Sequence, residues 1–299
     1  RHFYWDNSLD PVVRVEPGAE IEFSIVDASD GQLNRSSRVE DVKNLDFGRV
    51  NPVTGPVYVE GAERGDALSV EILDFKGDGW GWTAIIPGFG LLAEDFTEPF
   101  LHISRYNEQY VEFTPEVHLP MVPFPGTIGV APAATGRHSM VPPRQVGGNM
   151  DIHDLSRGTK LYLPVEVPGA LFSVGDTHAA QGDGEVCGTA IETPMQIRLR
   201  FNLVKGANLK RPQFETKKLA SHYYDGTVGY YVTTGIAPDL IQATKDAVRD
   251  MIEHLGHEYN LPADLAYALC SVAVDMRISE VVDTPNWVVS AYLPKGIFA

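Results

Sequence analysis

The sequence predicts a mainly β protein, α+β overall, in which a β-rich body is followed by a helical C-terminal segment. Alternation of apolar and polar residues is clearest along residues 195–204, where Met195, Ile197 and Leu199 share one face. That pattern is typical of a half-buried antiparallel strand. Helical spacing of apolar residues is found only after Gly206, so a regular series of βαβ units is not expected.

Short strands separated by Gly and Pro turns are predicted through the first two thirds of the chain. Residues 28–50 are polar and charged, which predicts a surface loop or a short helix. Residues 76–100 are rich in Gly and aromatics and predict a loop at a pocket mouth, and the Pro-rich residues 122–150 predict a loop that wraps the site. The predicted strand regions are residues 1–27, 51–75, 101–113, 116–122 and 159–204.

Two amphipathic helices are predicted in the C-terminal third. Residues 236–256 place their apolar side chains on one face, with Pro238 in the first turn and Gly256 at the end. Residues 260–279 predict a second helix, with Asn260 as its cap.

The chain is predicted to divide once, although the two parts form one catalytic unit. Residues 1–205 make the β-rich sandwich and barrel body that carries most site residues. Residues 206–299 make the α+β segment, which ends with one more strand within residues 281–298.

Composition indicates an ordinary soluble globular protein of 299 residues, 43% hydrophobic and 21% charged. The net charge of -16 disfavours nucleic acid and anionic membranes as partners, because both would repel the chain. No apolar run reaches about 18 residues and no secretion leader is evident. Cys187 and Cys270 could form one disulfide, but free thiols in a reducing cytosol are the preferred expectation, so a cytoplasmic location is predicted.

Potential metal ligands are densest in residues 147–192, where glycines separate acids and a histidine. A mixed set of carboxylates and one imidazole suits zinc, and also manganese or iron. Asp-Gly pairs also serve ordinary turns, so a purely structural role of the acids stays open. The polar residues of interest are Asp151, Asp176, His178, Gln181, Asp183, Glu185 and Glu192.

Strand geometry places a condition on two of these acids. Glu185 and Glu192 are seven positions apart, so a regular strand would point them to opposite faces. Both face one pocket only if a bulge intervenes, and Gly188 is the expected position. His153 and His138 lie in polar surroundings and are predicted to face solvent.

The strings GGNMDIHDL (residues 147–155) and LYLPVEVPGALFSVGDTHAAQGDGEVCGTAIE (residues 161–192) resemble the acetamidase/formamidase family, and weaker likeness covers nearly the whole chain. The resemblance implies hydrolysis of short aliphatic amides, such as formamide or acetamide, to acid and ammonia. It also implies a jelly-roll-like β-sandwich with a small β-barrel part, and a homo-oligomer.

The chemistry of these residues suggests a metal-assisted amidase. Asp151, His178 and Glu192 would hold a divalent ion, with Zn²⁺ preferred, that polarises the carbonyl and activates a water. Glu185 would be the general base and then the acid that protonates the leaving ammonia. Asp176 would orient His178.

The substrate pocket is expected to be small. Gln181 and Asp183 would shape it or contact the substrate amide. An apolar lining from Phe89, Phe172 or Trp80 would select short acyl groups.

Three alternatives remain open from the sequence. Cys187 shares a strand face with Glu185 and could act as a nucleophile in the same amidase. A non-catalytic sandwich module could hold a structural Ca²⁺ through Asp176, Asp183 and Glu185. A cupin-like metal enzyme is disfavoured because Ala180 stands where a second histidine is needed.

Overall fold

The computed structural model describes residues 1–209, 212–215, 230–280 and 287–298. The strands of the first half are β1 Tyr4–Trp5, β2 Val13–Val15, β3 Glu20–Ile25, β4 Val53–Val59, β5 Ala67–Gly77, β6 Trp80–Ile85, β7 Phe100–Tyr106, β8 Tyr110–Thr114, β9 Val117–Pro120 and β10 Phe124–Gly129. The later strands are β11 His138–Ser139, β12 Gly147–Asn149, β13 Lys160–Pro164, β14 Phe172–His178, β15 Met195–Val204, β16 Gln213–Glu215, β17 Tyr230–Ala237, β18 Asp275–Glu280 and β19 Trp287–Pro294. The helices are α1 Val39–Lys43, α2 Leu240–Tyr259 and α3 Ala263–Ala273, with 3₁₀ turns at Phe47–Arg49 and Lys295–Ile297.

Two five-stranded sheets form a sandwich, with strand orders β12-β10-β14-β4-β2 and β16-β13-β5-β15-β3. Buried side chains from both sheets share one core. Phe23, Phe172 and Phe201 meet edge to face there, with ring centroids 4.9 to 6.3 Å apart. The mainly β prediction is therefore confirmed.

Smaller sheets and the long helices complete the molecule. One sheet has the order β6-β7-β8-β9 and another the order β17-β19-β18. Helices α2 and α3 pack against residues of the body in a shared core that includes Leu92, Val186, Met251 and Tyr267. No sheet within the described residues closes on itself, so the small barrel implied by the resemblance is not present as a closed barrel. None of the helices described is both long and apolar enough to cross a membrane.

The ends of both C-terminal helices differ from the prediction. Helix α2 continues past Gly256 to Tyr259 and is followed by Asn260, whose φ of 54° is left-handed. Asn tolerates that conformation well, so Asn260 terminates the first helix instead of capping the second. Helix α3 begins after Pro262 and ends at Ala273, because the next residues form β18 and pair with β19. The final strand was predicted correctly, while residues 281–286 of that prediction lie outside the described residues.

Four strands, β6, β10, β11 and β12, lie in regions that were predicted to be loops. Every residue of β6 and of β10 is buried. A strand buried on both faces lacks the alternation that identifies a half-exposed one. Strands β6 and β10 both carry residues that border the site, so the loops that were expected to wrap it are partly ordered sheet.

Candidate active site

His178 is the last residue of β14 and is fully buried. Its Nε2 atom lies 3.1 Å from Asp176 Oδ1 and 3.1 Å from Glu192 Oε2. Asp176 is two residues earlier on the same strand, and Glu192 pairs with His178 as an isolated bridge. One imidazole nitrogen therefore faces two carboxylates.

Gln181 fixes the orientation of this imidazole. The Gln181 amide nitrogen donates to the backbone oxygen of Asp151 at 2.8 Å, so its Oε1 faces His178 Nδ1 at 3.0 Å as an acceptor. Nδ1 therefore carries a hydrogen, and Nε2 is directed at the acids. Asp176 was expected to orient His178; its carboxylate lies at Nε2, and Gln181 makes the contact at Nδ1.

Two further acids reach the same histidine. Asp151 donates its backbone N–H to Gly126 O at 3.2 Å, which anchors it beside β10. Asp151, His178 and Glu185 each offer a ligand atom within 4.8 Å of the others. Asp176, His178 and Glu192 form a second such trio, so the four carboxylates converge on one imidazole.

The turn between Glu185 and Glu192 satisfies the condition set by their spacing. Residues 181–194 form successive turns and two isolated bridges at Glu192 instead of a regular strand. Gly188 has a φ of 89°, a left-handed value, at the position where the bulge was expected. Both acids consequently line one cavity.

Three of the site acids have left-handed backbones. The φ angles are 50° at Asp151, 55° at Asp176 and 39° at Glu185. Such conformations cost about 1–3 kcal/mol per residue and tend to cluster at functional sites. Asp accepts them more easily than Glu, so Glu185 is the clearest outlier.

Gly126 on β10 leaves room for the cluster. A Cβ at this position would lie 2.6 Å from Asp151 Oδ1, 2.7 Å from His178 Cε1 and 2.8 Å from Asp176 Oδ2. A side chain there would enter the space that the ligand atoms surround. This role was missed in the sequence, where the residue belongs to a Pro- and Gly-rich segment.

Burial dominates the electrostatics of the acids. It raises the pKa of Asp151 to about 8 and that of Glu192 to about 7, and it raises the pKa of Glu185 well above its usual value. Burial would lower the pKa of His178, but Glu192 and Asp176 outweigh it and the net shift is well upward. Burial also pushes the pKa of Asp176 up, yet His178 brings it below its usual value.

A divalent cation fits this arrangement. Without one, Asp176 and His178 favour their charged forms, while burial disfavours the ionised forms of the other acids. Asp151 Oδ1 is buried and makes no hydrogen bond within the described chain. One nitrogen and several carboxylate oxygens are a donor set that zinc, manganese or iron accepts.

Two asparagine side chains and one threonine hydroxyl form a hydrogen-bonded group beside the acids. The Thr127 hydroxyl is 2.5 Å from Asn149 Oδ1 and 3.3 Å from Asp176 Oδ2, and Asn51 Nδ2 donates to Asn149 Oδ1 at 2.8 Å. Asn51 and Asn149 also line the cavity. These residues were not predicted as part of the site, although Asn149 stands in the GGNMD string two positions before Asp151.

Cys187 points away from the cavity. Its Sγ contacts Ala84 O and both oxygens of Thr189 at 3.6 Å, within a hydrophobic core. Burial raises the pKa of the thiol to about 11. A nucleophile needs a thiolate and access to substrate, and this environment disfavours both.

Two residues expected at the surface or in the pocket lie elsewhere. His153 was expected to face solvent but is only 3% exposed, and its Nδ1 lies 3.0 Å from Gln181 O. Asp183 is 3.3 Å from His153 Nε2 and forms a separate cluster with His153 and Asp275. Asp183 does not line the cavity, and its separation from Asp176 does not support a Ca²⁺ site shared by the two.

A cavity of about 420 Å³ opens onto the four acids. Phe89 lines it as expected, whereas Phe172 is buried in the sandwich core and Trp80 packs in another cluster. The neighbouring Trp82 forms part of the wall instead. The apolar side chains of the lining are Ala28, Leu45, Phe47, Val50, Trp82, Ile86, Pro87, Phe89 and Val141.

Known proteins resemble this chain over most or nearly all of its length. The model of the Acetamidase/Formamidase family matches residues 1–140 and 133–299. A formamidase from Methylophilus methylotrophus is 28% identical, covering 99% of this chain and 89% of the relative. An acetamidase from Mycolicibacterium smegmatis is 29% identical over 69% of this chain and 66% of its own.

Solved structures agree with the sequence relatives. A gamma lactamase from Delftia acidovorans superimposes with a TM-score of 0.92 at 30% identity, covering 99% of this chain and 89% of that one. An acetamidase from Bacillus halodurans superimposes with a TM-score of 0.70 at 32% identity, covering 98% and 94%.

Proposed function

This chain belongs to the acetamidase/formamidase family, and from that premise we propose that it catalyses metal-assisted hydrolysis of short aliphatic amides, such as formamide and acetamide. The family consists of amidohydrolases, and its relatives are named formamidase and acetamidase. The observation that carries the metal proposal is the convergence of four carboxylates on His178, of which Asp176 and Glu192 lie 3.1 Å from its Nε2.

We assign Asp151, His178 and Glu192 as the ligands of a divalent ion, with zinc as the first candidate. Glu192 is held in place because its Oε1 accepts the Ala190 N–H at 2.8 Å, which aims Oε2 at His178. A bound divalent ion supplies Lewis acidity for the amide carbonyl and lowers the pKa of water toward about 7.

Glu185 is assigned as the general base. It is only partly buried and lines the cavity, so its carboxylate can reach both a water and the substrate. Burial raises its pKa above that of a free glutamate, which makes its carboxylate a stronger base. Glu185 removes a proton from the attacking water and then delivers it to the departing nitrogen, which leaves as ammonia.

The remaining residues position this chemistry. Gln181 keeps the hydrogen of His178 on Nδ1. Asn51 and Asn149 present side-chain amides to the cavity, where they can pair with the substrate amide. The Cys187 mechanism keeps the same overall reaction, but the buried thiol does not favour it.

The test is metal content together with ammonia release. Purified protein should hold one divalent ion per chain and release ammonia from formamide and acetamide. A chelator should abolish both, and adding zinc should restore both. Undiminished ammonia release by metal-free protein would refute the metal role.

A further inference from the structure

We propose that the preferred substrates are amides whose acyl group is uncharged, apolar and much larger than formyl or acetyl. The inference rests on the proposed amide hydrolysis and concerns the cavity in front of the acids. Formamide and acetamide are then accepted substrates that fill only a small part of the space.

The size of the cavity is the first argument. It measures about 420 Å³. Formamide is about the size of two water molecules, which take up roughly 60 Å³ at about 30 Å³ each. A substrate of that size leaves most of the cavity to water, although sites built for small ligands enclose most of the ligand surface.

The second argument is the separation of polar and apolar surface. The four acids lie together around His178, so they define the reacting end. Away from them the lining is aliphatic and aromatic, and three of its members, Phe47, Phe89 and Val141, are 59%, 45% and 47% exposed. Large exposed apolar side chains gathered at one opening are typical of a ligand-binding surface.

The wall between these two ends is fixed before substrate arrives. The backbone of Trp82 pairs with Glu192 in both directions, and its indole N–H donates to Asp27 at 3.1 Å. A Cβ on Gly188 would come within 2.5 Å of the Phe89 ring, which therefore packs directly on that glycine. A preformed apolar wall joined to the reacting end orients an acyl chain along it.

The charge around the cavity further restricts the class of substrates. The acids around His178 and the net charge of -16 disfavour an anionic substituent on the substrate. Burying one methylene is worth about a fourfold gain in binding. Hexanamide has four methylenes more than acetamide, so its kcat/KM is expected to be higher by up to roughly 250-fold.

The experiment compares kcat/KM for formamide, acetamide, butanamide and hexanamide in the metal-loaded enzyme. We expect a steep rise with chain length, and a glutaramate of similar length, with its terminal carboxylate, should be a poor substrate. Values that stay flat or fall after acetamide would overturn the inference while leaving amide hydrolysis intact. If no amide is hydrolysed at all, the proposed function fails instead.

A pair of variants ties the preference to this cavity. Phe47→Ser removes an exposed part of the wall, and Phe214→Ser makes the same change at an exposed Phe outside the lining. The ratio of kcat/KM for hexanamide to that for acetamide should fall about tenfold in Phe47→Ser and stay unchanged in Phe214→Ser. An unchanged ratio in Phe47→Ser would contradict the assignment of this cavity as the acyl-binding site. This holds whether or not light scattering shows a changed oligomeric mass.

Discussion

At the scale of single residues, the site depends on which atom of His178 is available. Gln181 accepts from Nδ1, and this leaves Nε2 to face Asp176 and Glu192. Metal-binding histidines usually donate their other ring N–H to such an acceptor, which sets the tautomer and the ring plane. The acids can then take different roles. Glu192, which is held by the Ala190 N–H, is assigned as a metal ligand, and Glu185, which faces the cavity, is assigned as the base.

Glu192 and Glu185 are expected to respond differently to the same substitution. Glu192→Gln should lower metal affinity by at least about tenfold, because it removes a ligand. Glu185→Gln should retain bound metal but lose about 10²–10⁴ in kcat, because it removes the base. Metal analysis of both proteins beside acetamide kinetics measures this. If Glu185→Gln lost its metal, or Glu192→Gln kept its full metal content, the assignment of Glu192 as ligand and Glu185 as base would be wrong.

Substitution of Cys187 separates the metal mechanism from the thiol mechanism. The thiol is buried and its pKa is raised to about 11, so it plays no part in the proposed reaction. Cys187→Ser should keep kcat within a few-fold of the parent, and the new hydroxyl can bond Thr189 O or Ala84 O. Loss of activity in a Cys187→Ser protein that folds and binds metal normally would favour the nucleophile mechanism.

The metal-free protein should lose stability as pH rises. Burial raises the pKa of Asp151 to about 8 and that of Glu192 to about 7, against about 4 in an unfolded chain. Between about pH 4 and pH 8 the folded state therefore binds more protons than the unfolded state, and the free energy of unfolding falls with pH. Urea unfolding in the presence of a chelator at pH 5.5, 6.5 and 7.5 measures the slope. Asp151→Asn, which cannot ionise, should flatten it; an equal slope in both proteins would contradict the assignment.

At the scale of elements, β10 controls the space in which the acids meet. Gly126→Ala would place a Cβ within 2.8 Å of three site side chains, so metal affinity and activity should fall by at least about tenfold. Gly256→Ala is the matched control, because its Cβ would be 3.5 Å from the nearest atom and alanine favours helix α2. Retained metal affinity in Gly126→Ala would show that the acids do not enclose an ion beside this strand.

Sequence patterns identified strands that alternate, such as β15, and also the fully buried β14, which forms an apolar run. The half-buried β15 alternates cleanly and was predicted, whereas β6 and β10 are buried throughout and were read as loops. The string from Asp176 to Glu192 located the site by its density of acids. It could not show that left-handed turns at Asp151 and Glu185 bring the acids together, or that Asp183 turns away toward His153.

At the scale of the whole molecule, one scaffold joins the reacting end to the apolar cavity. Strand β14 of the sandwich supplies Asp176 and His178, and β6 supplies Trp82 and the pairing that holds Glu192. Helix α3 packs its Tyr267 hydroxyl onto the backbone of Val186 and Leu92, which supports the turn that carries Glu185. The homo-oligomer and the cytoplasmic location stay predictions, and light scattering of the purified chain measures the first.

X-ray absorption spectroscopy of the zinc-loaded protein tests the central claim most directly, because it reports the atoms around the ion. The account predicts a shell of nitrogen and oxygen at about 2.0–2.2 Å with the outer-shell signal of one imidazole. The signal of that imidazole should disappear in His178→Ala. A sulfur ligand at about 2.3 Å, or a shell without imidazole, would contradict the assignment of the ion to Asp151, His178 and Glu192.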